Sequence, residues 1–321
     1  MADTSTEYDV IIVGAGPAGL CAALYAGRGM LTALTIERGL PGGELLNTEL
    51  IEDYIGFETI LGRELAQKMA EHAKKFGAQI VTDTVDRIRK GADGWFAVET
   101  AKGDTYRSHA VILTAGGTPV KLGVPGEKEY AGKGVSYCAV CDGAFFKGER
   151  LAVVGGGDAA MEEAAYLTRY ASTVFLIHRR EEFRASKIIQ ERVFANPKIE
   201  IIRNAIVPEI VGTEKGVQHV VLEDTVTGSR STLEVGGIFI FIGFNPNTQL
   251  VEGHVDHDAG GYLLTDNRMM TSMAGLFAAG DVRSQLTRQI TTAVGDATTA
   301  AIAVEKYITA MREQEQASAA P

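Results

Sequence analysis

Two cysteines three positions apart are the residues of this sequence best suited to chemistry. Cys138 and Cys141 enclose Ala139-Val140, and Asp142 follows at once. A Cys-X-X-Cys turn holds two sulfurs close enough to alternate between a dithiol and a disulfide. Thiol exchange requires a thiolate, and Asp142 is placed to exchange a proton with a neighbouring sulfur. We therefore predict that Cys138, Cys141 and Asp142 are catalytic residues of a redox reaction.

A zinc site and a pair of buried structural thiols are the alternatives for this motif. A structural zinc site usually has four protein ligands, and the only other cysteine is Cys21. Cys21 lies in a predicted alanine-rich helix, where a thiol packs as a small hydrophobic side chain. The remaining histidines form no metal-like cluster in the sequence: His72, His219, His254 and His257. The redox interpretation is favoured, and no metal site is predicted.

A glycine-rich turn near the start of the chain predicts a dinucleotide site. The segment Gly14-Ala15-Gly16-Pro17-Ala18-Gly19 follows an apolar run and opens a predicted helix of small residues. Such glycines permit a tight turn, close approach of a pyrophosphate and close helix packing. The helix N-terminus supplies N–H donors for phosphate. Glu37 ends the next predicted strand and suits the diol of a ribose; the alternative is an ordinary turn with Glu37 on the surface.

A second glycine-rich turn has a different set of charges around it. Gly155-Gly156-Gly157-Asp158-Ala159-Ala160 also lies between a predicted strand and a predicted helix. The next predicted strand ends in His178-Arg179-Arg180, and Arg184 follows. Arginine binds a phosphate dianion in bidentate fashion, whereas an acid would repel it. This pattern favours NADP over NAD; the alternative is a solvated basic face beside Glu181 and Glu182.

The two turns belong to an internal duplication. Each is followed later by an apolar strand that runs into glycine, at 109–116 and at 237–243. A further strand and Gly-Asp pair, at 275–281, comes after the second copy is complete and more plausibly returns to the first. We predict an α/β fold of two Rossmann-like dinucleotide-binding domains (three-layer ββα), the second inserted into the first. The predicted domains are residues 1–118 with 248–321, and 119–247, which carries the dithiol.

Composition and charge exclude several function classes. The net charge of −10 argues against nucleic acid as the main partner. The first nine residues do not resemble a signal peptide, and the apolar stretches are too short to span a bilayer. Three cysteines do not make a disulfide framework. We predict a cytoplasmic protein that binds neither nucleic acid nor membrane, with a tail that frays from Arg312.

Together these motifs resemble those of the low-molecular-weight thioredoxin reductases, a class of pyridine nucleotide-disulfide oxidoreductases, over nearly the whole chain. The resemblance is carried by residues 138–143, 155–160, 178–180 with Arg184, 277–282 and 288–290. It implies that the split domain binds FAD, that the inserted domain binds NADPH, and that the protein is a homodimer. The implied activity is NADPH-dependent reduction of the disulfide of thioredoxin, with Cys141 facing the flavin and Cys138 attacking the partner.

The resemblance also implies which residues bind the two cofactors. Residues 178–180 with Arg184, called the arginine segment below, would hold the 2′-phosphate of NADPH. The predicted cofactor-binding residues are Gly14, Gly16, Pro17, Ala18, Gly19, Glu37, Gly42, Gly43, Glu44, Asp53, Val85, Thr114, Ala115, Gly116, Gly280, Asp281, Arg288, Gln289 and Ile290, together with Gly155, Gly157, Asp158, Ala159, His178, Arg179, Arg180, Arg184, Ile242 and Gly243.

The chain departs from the family pattern at a few positions. Glu44 stands where the family commonly has Gln, Asp53 where it has Asn, and Ala115 within a segment usually Ala-Thr-Gly. We expect ionised carboxylates close to the flavin to disfavour an anionic reduced flavin. The aromatic segment after the cysteines begins with Ala144 and Phe145, whereas in the family it begins with Phe. We expect this difference to affect which thioredoxin the protein prefers.

The domain assignment implies movement. The dithiol and the nicotinamide would share one domain, yet each must reach the flavin and the dithiol must also reach its partner. We therefore predict rotation of the inserted domain about the two crossings, near Gly123 and Gly243. Two alternatives stay open. The protein could be a related enzyme that reduces another carrier, such as a peroxiredoxin-type protein, or that oxidises a small dithiol with oxygen. It could also be a nucleotide sensor without turnover.

Overall fold

A computed structural model of the protein describes residues 7–48, 50–251 and 253–319. The chain divides into two compact units. The first unit comprises the described residues of Met1–Thr118 and Asn245–Pro321, and the second is Pro119–Phe244. Both units contain a parallel sheet with helices, as the predicted α/β fold of two Rossmann-like domains requires.

The elements are named in chain order. The strands are β1 (Glu7–Val13), β2 (Ala33–Glu37), β3 (Leu50–Ile51), β4 (Ile60–Leu61), β5 (Gln79–Thr82), β6 (Val85–Lys90), β7 (Phe96–Thr100), β8 (Thr105–Leu113), β9 (Gly117–Pro119), β10 (Val135–Ser136), β11 (Arg150–Gly155), β12 (Thr173–Ile177), β13 (Ile199–Ile202), β14 (Ala205–Thr213), β15 (Gly216–Asp224), β16 (Arg230–Glu234), β17 (Gly237–Phe241), β18 (Phe244–Pro246) and β19 (Leu276–Ala278). The helices are α1 (Pro17–Arg28), α2 (Gly62–Lys75), α3 (Ala139–Asp142), α4 (Asp158–Leu167), α5 (Lys187–Phe194) and α6 (Ile290–Ala319). Short 3-10 turns lie at Gly43–Asn47, Gly143–Phe146, Gln249–Val251 and Gly280–Val282.

The first unit is built on a parallel sheet with a branch. Strands β5, β2, β1 and β8 pair in that order, and β19 pairs with the end of β8. The start of β8 pairs instead with β7, which leads to β6 in an antiparallel ribbon. Strand β19, which comes after the complete second copy in sequence, therefore extends the first sheet beside β8.

Alternating apolar side chains cover both faces of this sheet. Val10 and Ile12 pack with the helices, whereas Ile11 and Val13 pack with the β6–β7 ribbon. Successive strand residues point to opposite faces, so an unbroken apolar run marks a strand buried on both sides. On the helix face α1 and α6 meet through alanines, and the Cys21 thiol donates to Val294 O (3.3 Å). Helix α6 continues to Ala319, through most of the tail that we expected to fray.

The second unit repeats this plan. Its parallel sheet has the order β10, β17, β11, β12, β13, and the antiparallel strands β14, β15 and β16 form a separate sheet. Leu151 and Val153 pack with α4, whereas Ala152 and Val154 pack with the antiparallel sheet. Each glycine-rich turn therefore lies at the carboxyl end of the central strands of its own unit, where α/β proteins bind their ligands.

The two chain crossings between the units run side by side. Strand β9 pairs with β18. Within the second unit Val120 N–H donates to Gly243 O (2.9 Å), and within the first Asn247 N–H donates to Gly116 O (3.0 Å).

Candidate functional site

The two cysteines form a disulfide at the start of a short helical turn. Cys138 and Cys141 are bonded, with 5.3 Å between their Cα atoms. Cys138 precedes α3, and its Sγ accepts a hydrogen bond from Cys141 N–H at 3.1 Å. Cys141 is exposed and Cys138 is half-buried. The backbone therefore holds both sulfurs in one turn, as reversible disulfide chemistry requires.

Ser136 holds the predicted acid–base residue beside this turn. Its hydroxyl donates to Asp142 Oδ2 at 2.6 Å and accepts from Cys138 N–H at 3.1 Å. Ser136 is buried at the end of β10. The hydroxyl therefore joins the Asp142 carboxylate to the backbone of the first cysteine, and the proton exchange that we predict for Asp142 stays a prediction. Sequence reasoning missed Ser136 because a serine at the end of a strand carries no motif.

The first turn has no room for a side chain at two of its glycines. A Cβ at Gly14, whose φ is +101°, would lie 2.6 Å from Thr114 O, and one at Gly19 would lie 1.8 Å from Gly14 O. Helix α1 begins at Pro17 with no side-chain cap and no acid in its first turn. Its first N–H groups are therefore available to an anion, which fits the predicted pyrophosphate.

Glu37 closes back onto this turn from the end of β2. Its Oε2 accepts from Ala15 N–H at 2.6 Å, and its Oε1 accepts from Gly39 N–H at 3.0 Å. Gly42 N–H donates to Ala15 O (2.8 Å), and a Cβ at Gly43 would lie 3.0 Å from Gly16 Cα. The predicted segments 14–19, 37 and 42–43 thus meet at one edge of the sheet, and Thr114 joins them by donating to Gly14 O at 2.9 Å.

Carboxylates are concentrated in this part of the first unit. Burial raises the pKa of Glu44, opposed by a hydrogen bond from Asn47 and by the charge of Arg38. Burial also raises the pKa of Asp281, and the charge of Glu44 adds to the increase. The Glu44 side chain is therefore close enough to affect the ionisation of Asp281. A flavin at this site would meet a carboxyl group where the family commonly offers an amide.

Residues that the sequence did not single out support Gly280 and Arg288. Gly280 N–H donates to Asp296 Oδ2 (3.2 Å), and Asp296 forms a salt bridge with Arg283 (3.1 Å). The Arg288 guanidinium lies over the ring of Tyr262, 3.9 Å from its centroid. Asp296 fixes the turn that carries Asp281, and Tyr262 holds Arg288 by a cation–π contact.

The remaining predicted flavin-site residues have varied positions. Asp53 is exposed in the segment between β3 and β4, and Val85 is buried at the start of β6. Ala115 O accepts from Asn247 Nδ2 (2.7 Å), Gly116 has a positive φ of +57°, and Gln289 N–H is bonded to Thr292 Oγ1 (3.1 Å). Gln289 precedes Ile290, the first residue of α6. For Asp53 and Val85 the structure gives no contact with the glycine-rich turn.

The second turn is packed against the arginine segment. Arg184 N–H donates to Gly156 O (2.8 Å), and Ser186 N–H donates to Asp158 Oδ1 (2.6 Å). Helix α4 begins at Asp158 after Gly157, with no side-chain cap. The predicted residue Ala159 follows inside this first turn. Ile242 and Gly243 lie just beyond β17, at the same carboxyl edge of the sheet.

His178 ties these two segments together. Its Nδ1 lies 3.1 Å from Gly155 O, and its Nε2 lies 3.0 Å from Glu182 O. The ring is buried and stacks on Phe183 at 4.6 Å. A Cβ at Gly156 would lie 2.2 Å from His178 Nδ1, so the missing side chain leaves room for the ring. Both ring nitrogens face carbonyl oxygens, which makes His178 a link rather than a group open to a ligand.

The arginines beside it remain open to a ligand. Arg179, Arg180 and Arg184 are exposed, and within the described part of the chain none of them forms a salt bridge. Three guanidinium groups next to an uncapped helix start fit a nucleotide that carries an additional phosphate.

None of the helices in the described residues is long and apolar enough to cross a membrane. In the same residues, no group of three or more His, Cys, Asp or Glu side chains could hold a metal ion.

Comparisons with known proteins agree with this geometry. The family model for pyridine nucleotide-disulphide oxidoreductases matches residues 8–297. The thioredoxin reductase of Bacillus subtilis (strain 168) is 50% identical over 306 residues, 95% of this chain and 96% of the relative. The solved Lactococcus lactis thioredoxin reductase (FR conformation) is 44% identical with a TM-score of 0.92, over 94% of this chain and 99% of that one. The solved Streptococcus pyogenes MGAS5005 thioredoxin reductase is 45% identical with a TM-score of 0.63, over 96% of this chain and 100% of that one. The chain therefore belongs to the pyridine nucleotide-disulphide oxidoreductase family, among its thioredoxin reductases.

Proposed function

We propose that the protein is an NADPH-dependent thioredoxin-disulfide reductase that uses FAD. The observation that carries the proposal is the Cys138–Cys141 disulfide beside Asp142, in a unit whose nucleotide turn is bordered by free arginines. FAD, when bound, would take a hydride from NADPH and pass two electrons to a disulfide. The first unit would hold FAD through the α1 N-terminus and Glu37, and the second would hold NADPH through α4 and Arg179, Arg180 and Arg184.

The protein's own sulfurs then carry the exchange with the partner. Once Cys138 and Cys141 are reduced, the Cys138 thiolate attacks one sulfur of the partner disulfide and releases the other as a thiolate. Cys141 attacks the mixed disulfide, which restores the Cys138–Cys141 bond and leaves the partner as a dithiol. Asp142, held by Ser136, transfers protons to and from these sulfurs. One NADPH and one proton are consumed for each disulfide reduced.

We also propose that the inserted unit rotates during turnover. Two solved relatives of nearly equal identity to this chain, 44% and 45%, match it with TM-scores of 0.92 and 0.63. Sequence divergence cannot produce that difference, whereas a different orientation of the two units in the two relatives would lower a whole-chain score. The paired crossings β9 and β18 are the segments that such a rotation would bend.

The same proposal includes a homodimer and a cytoplasmic location, where thioredoxin is kept reduced. The homodimer follows from the resemblance to the thioredoxin reductases. Sedimentation at micromolar concentration should give twice the mass of one chain; a monomer would contradict this part of the proposal.

An anaerobic titration tests the electron path. The purified holoprotein should be yellow, and stoichiometric NADPH should bleach it while NADH should do so poorly. Oxidised thioredoxin should then restore the colour. The Cys138→Ser/Cys141→Ser variant should still bleach with NADPH but should not regain colour when thioredoxin is added.

The same titration separates the alternatives. A wild-type protein that fails to bleach would refute the reductase proposal and favour a nucleotide sensor. Bleaching that is reversed by a peroxiredoxin-type protein or a small disulfide, but not by thioredoxin, would retain the cofactors and replace the substrate.

A further inference from the structure

A buried carboxylate outside the motifs holds the first crossing in place. Glu127 is 5% exposed. Its Oε1 accepts from Leu122 N–H at 2.8 Å, and its Oε2 accepts from Gly123 N–H at 2.6 Å. A carboxylate that accepts consecutive backbone N–H groups fixes the conformation of that segment, because an unpaired buried charge is strongly unfavourable.

The same carboxylate also reaches the segment that carries the dithiol. Tyr137 O–H donates to Glu127 Oε1 at 2.6 Å, and Tyr137 directly precedes Cys138. On the other side of Tyr137, Ser136 holds Asp142. Hydrogen bonds through Glu127 therefore join Leu122 and Gly123 to the Tyr137 side chain, and Tyr137 is bonded covalently to Ser136 and Cys138, all within the second unit.

The ionisation of the pair fits this geometry. Burial opposes ionisation of Glu127, but hydrogen bonds from Tyr137 and from the backbone of residues 122–124 outweigh it, so the pKa of Glu127 is lowered. Burial and the bond to Glu127 both raise the pKa of Tyr137. At neutral pH the contact is thus a phenol that donates to a carboxylate, a strong form of hydrogen bond.

We propose that Glu127 is a positioning residue of the dithiol reaction: it makes Leu122–Val124 and the Cys138-bearing segment one rigid piece. The proposal rests on the proposed function. It corrects the expectation of a pivot at Gly123, whose positive φ of +73° and open surroundings would otherwise suit a hinge. The chain therefore bends before Leu122. Rotation of the inserted unit then moves the two sulfurs together with Leu122–Val124, and no bending occurs between these residues and the sulfurs.

Amide exchange tests the clamp without any activity measurement. Replacing the carboxylate in Glu127→Gln places an N–H₂ group among N–H donors, so exchange at Leu122–Val124 should accelerate by about 100-fold. Tyr137→Phe removes one hydroxyl and should accelerate it by roughly fivefold. The matched control is Tyr166→Phe, which removes the contact to the Tyr170 hydroxyl (3.1 Å) in the same unit and should leave these amides unchanged. Unchanged exchange in both test variants would overturn the proposal.

Kinetics test the positioning role. Tyr137→Phe should lower kcat for thioredoxin by roughly fivefold, the ordinary effect of one hydrogen bond, and leave the KM for thioredoxin unchanged. NADPH-dependent reduction of a small dye, which bypasses the dithiol, should stay at the wild-type rate. Equal losses in both assays, or no loss in either, would contradict the positioning role. A wild-type protein that reduces the dye but not thioredoxin would refute the proposed function, while the exchange data would still decide the clamp.

Discussion

The two glycine-rich turns have the same backbone arrangement, but the side chains that contact them from the neighbouring strands differ in chemistry. In the first, Glu37 at the end of β2 presents a carboxylate that accepts from Ala15 N–H. In the second, His178 just after β12 presents a ring whose nitrogens face Gly155 O and Glu182 O. The side chain behind the first turn therefore accepts from an N–H group of that turn, whereas the side chain behind the second faces a carbonyl oxygen. The residue at the end of the second strand or just after it thus differs between the two turns, and we predict that this difference also affects which ribose each turn suits.

The turns also differ in how much room they leave for a side chain. Gly19 packs so closely on Gly14 that a Cβ would overlap its carbonyl oxygen, whereas the corresponding position of the second turn is Ala160, which is buried. The first helix approaches its turn more closely than the second does. This difference gives the largest effect that we predict.

Gly19→Ala should prevent the first turn from forming, whereas the reverse change in the second turn should be tolerated. A Cβ at 1.8 Å from a backbone oxygen forces the helix away, at a cost of about 3 kcal/mol or more. Ala160→Gly should lower the stability by about 1 kcal/mol. Urea unfolding and the flavin content of the purified variants measure both effects; a stable, yellow Gly19→Ala protein would show that the two turns are equally permissive.

Removing the arginines should change nucleotide choice at the second turn alone. Arg179→Ala/Arg180→Ala should raise the KM for NADPH by about 10- to 100-fold, because charge-assisted bonds to the 2′-phosphate are lost. The KM for NADH should hardly change. Arg230→Ala, which removes an exposed arginine paired with Glu223 at 2.7 Å, is the control. If both nucleotides were affected equally, the arginines would not read the additional phosphate.

Glu37→Gln tests the acidic side of the comparison. An amide keeps the shape but weakens acceptance from Ala15 N–H and from a ribose diol, so FAD affinity should fall about 10-fold. Fluorescence titration of the flavin-free protein measures this affinity. Glu71→Gln, an exposed carboxylate of α2, should leave the affinity unchanged. An unaltered affinity in Glu37→Gln would mean that the adenosine site does not use the acid.

The smallest effect concerns pH. The pKa of Glu44 is raised in the folded protein, so its ionisation destabilises the fold as pH rises above the ordinary value of 4.5. Glu44→Gln should therefore raise the Tm of the flavin-free protein slightly at neutral pH, and this gain should vanish at acidic pH. Asp53→Asn, which removes the charge of another exposed carboxylate of the same unit, is the matched control. A gain that persists at acidic pH would point to packing instead of charge.

The features predicted correctly are those that local backbone rules impose. A glycine at a positive φ, an unbroken apolar strand or a Cys-X-X-Cys turn is visible in a few consecutive residues, and so the fold class and the family could be inferred. Ser136, Glu127 and Asp296 could not, because each acts through hydrogen bonds to residues outside any sequence motif, which only the folded chain brings together. The sequence predicts that His178 binds the nucleotide together with the arginines, whereas in the structure its ring lies in the space left by Gly156, which only the packing of the two segments reveals.

The pairing of β19 with β8 affects the order in which the two units can fold while the chain is being synthesised. The inserted unit is continuous in sequence and has all its strands once residue 244 has left the ribosome, whereas the first unit still lacks β19 and α6. Until those arrive, the end of β8 has an open edge, and the part of α1 that α6 covers stays exposed. The nucleotide unit that follows in sequence can thus be the first to fold. A nascent chain stalled before Leu276 would carry a finished inserted unit beside an unfinished one.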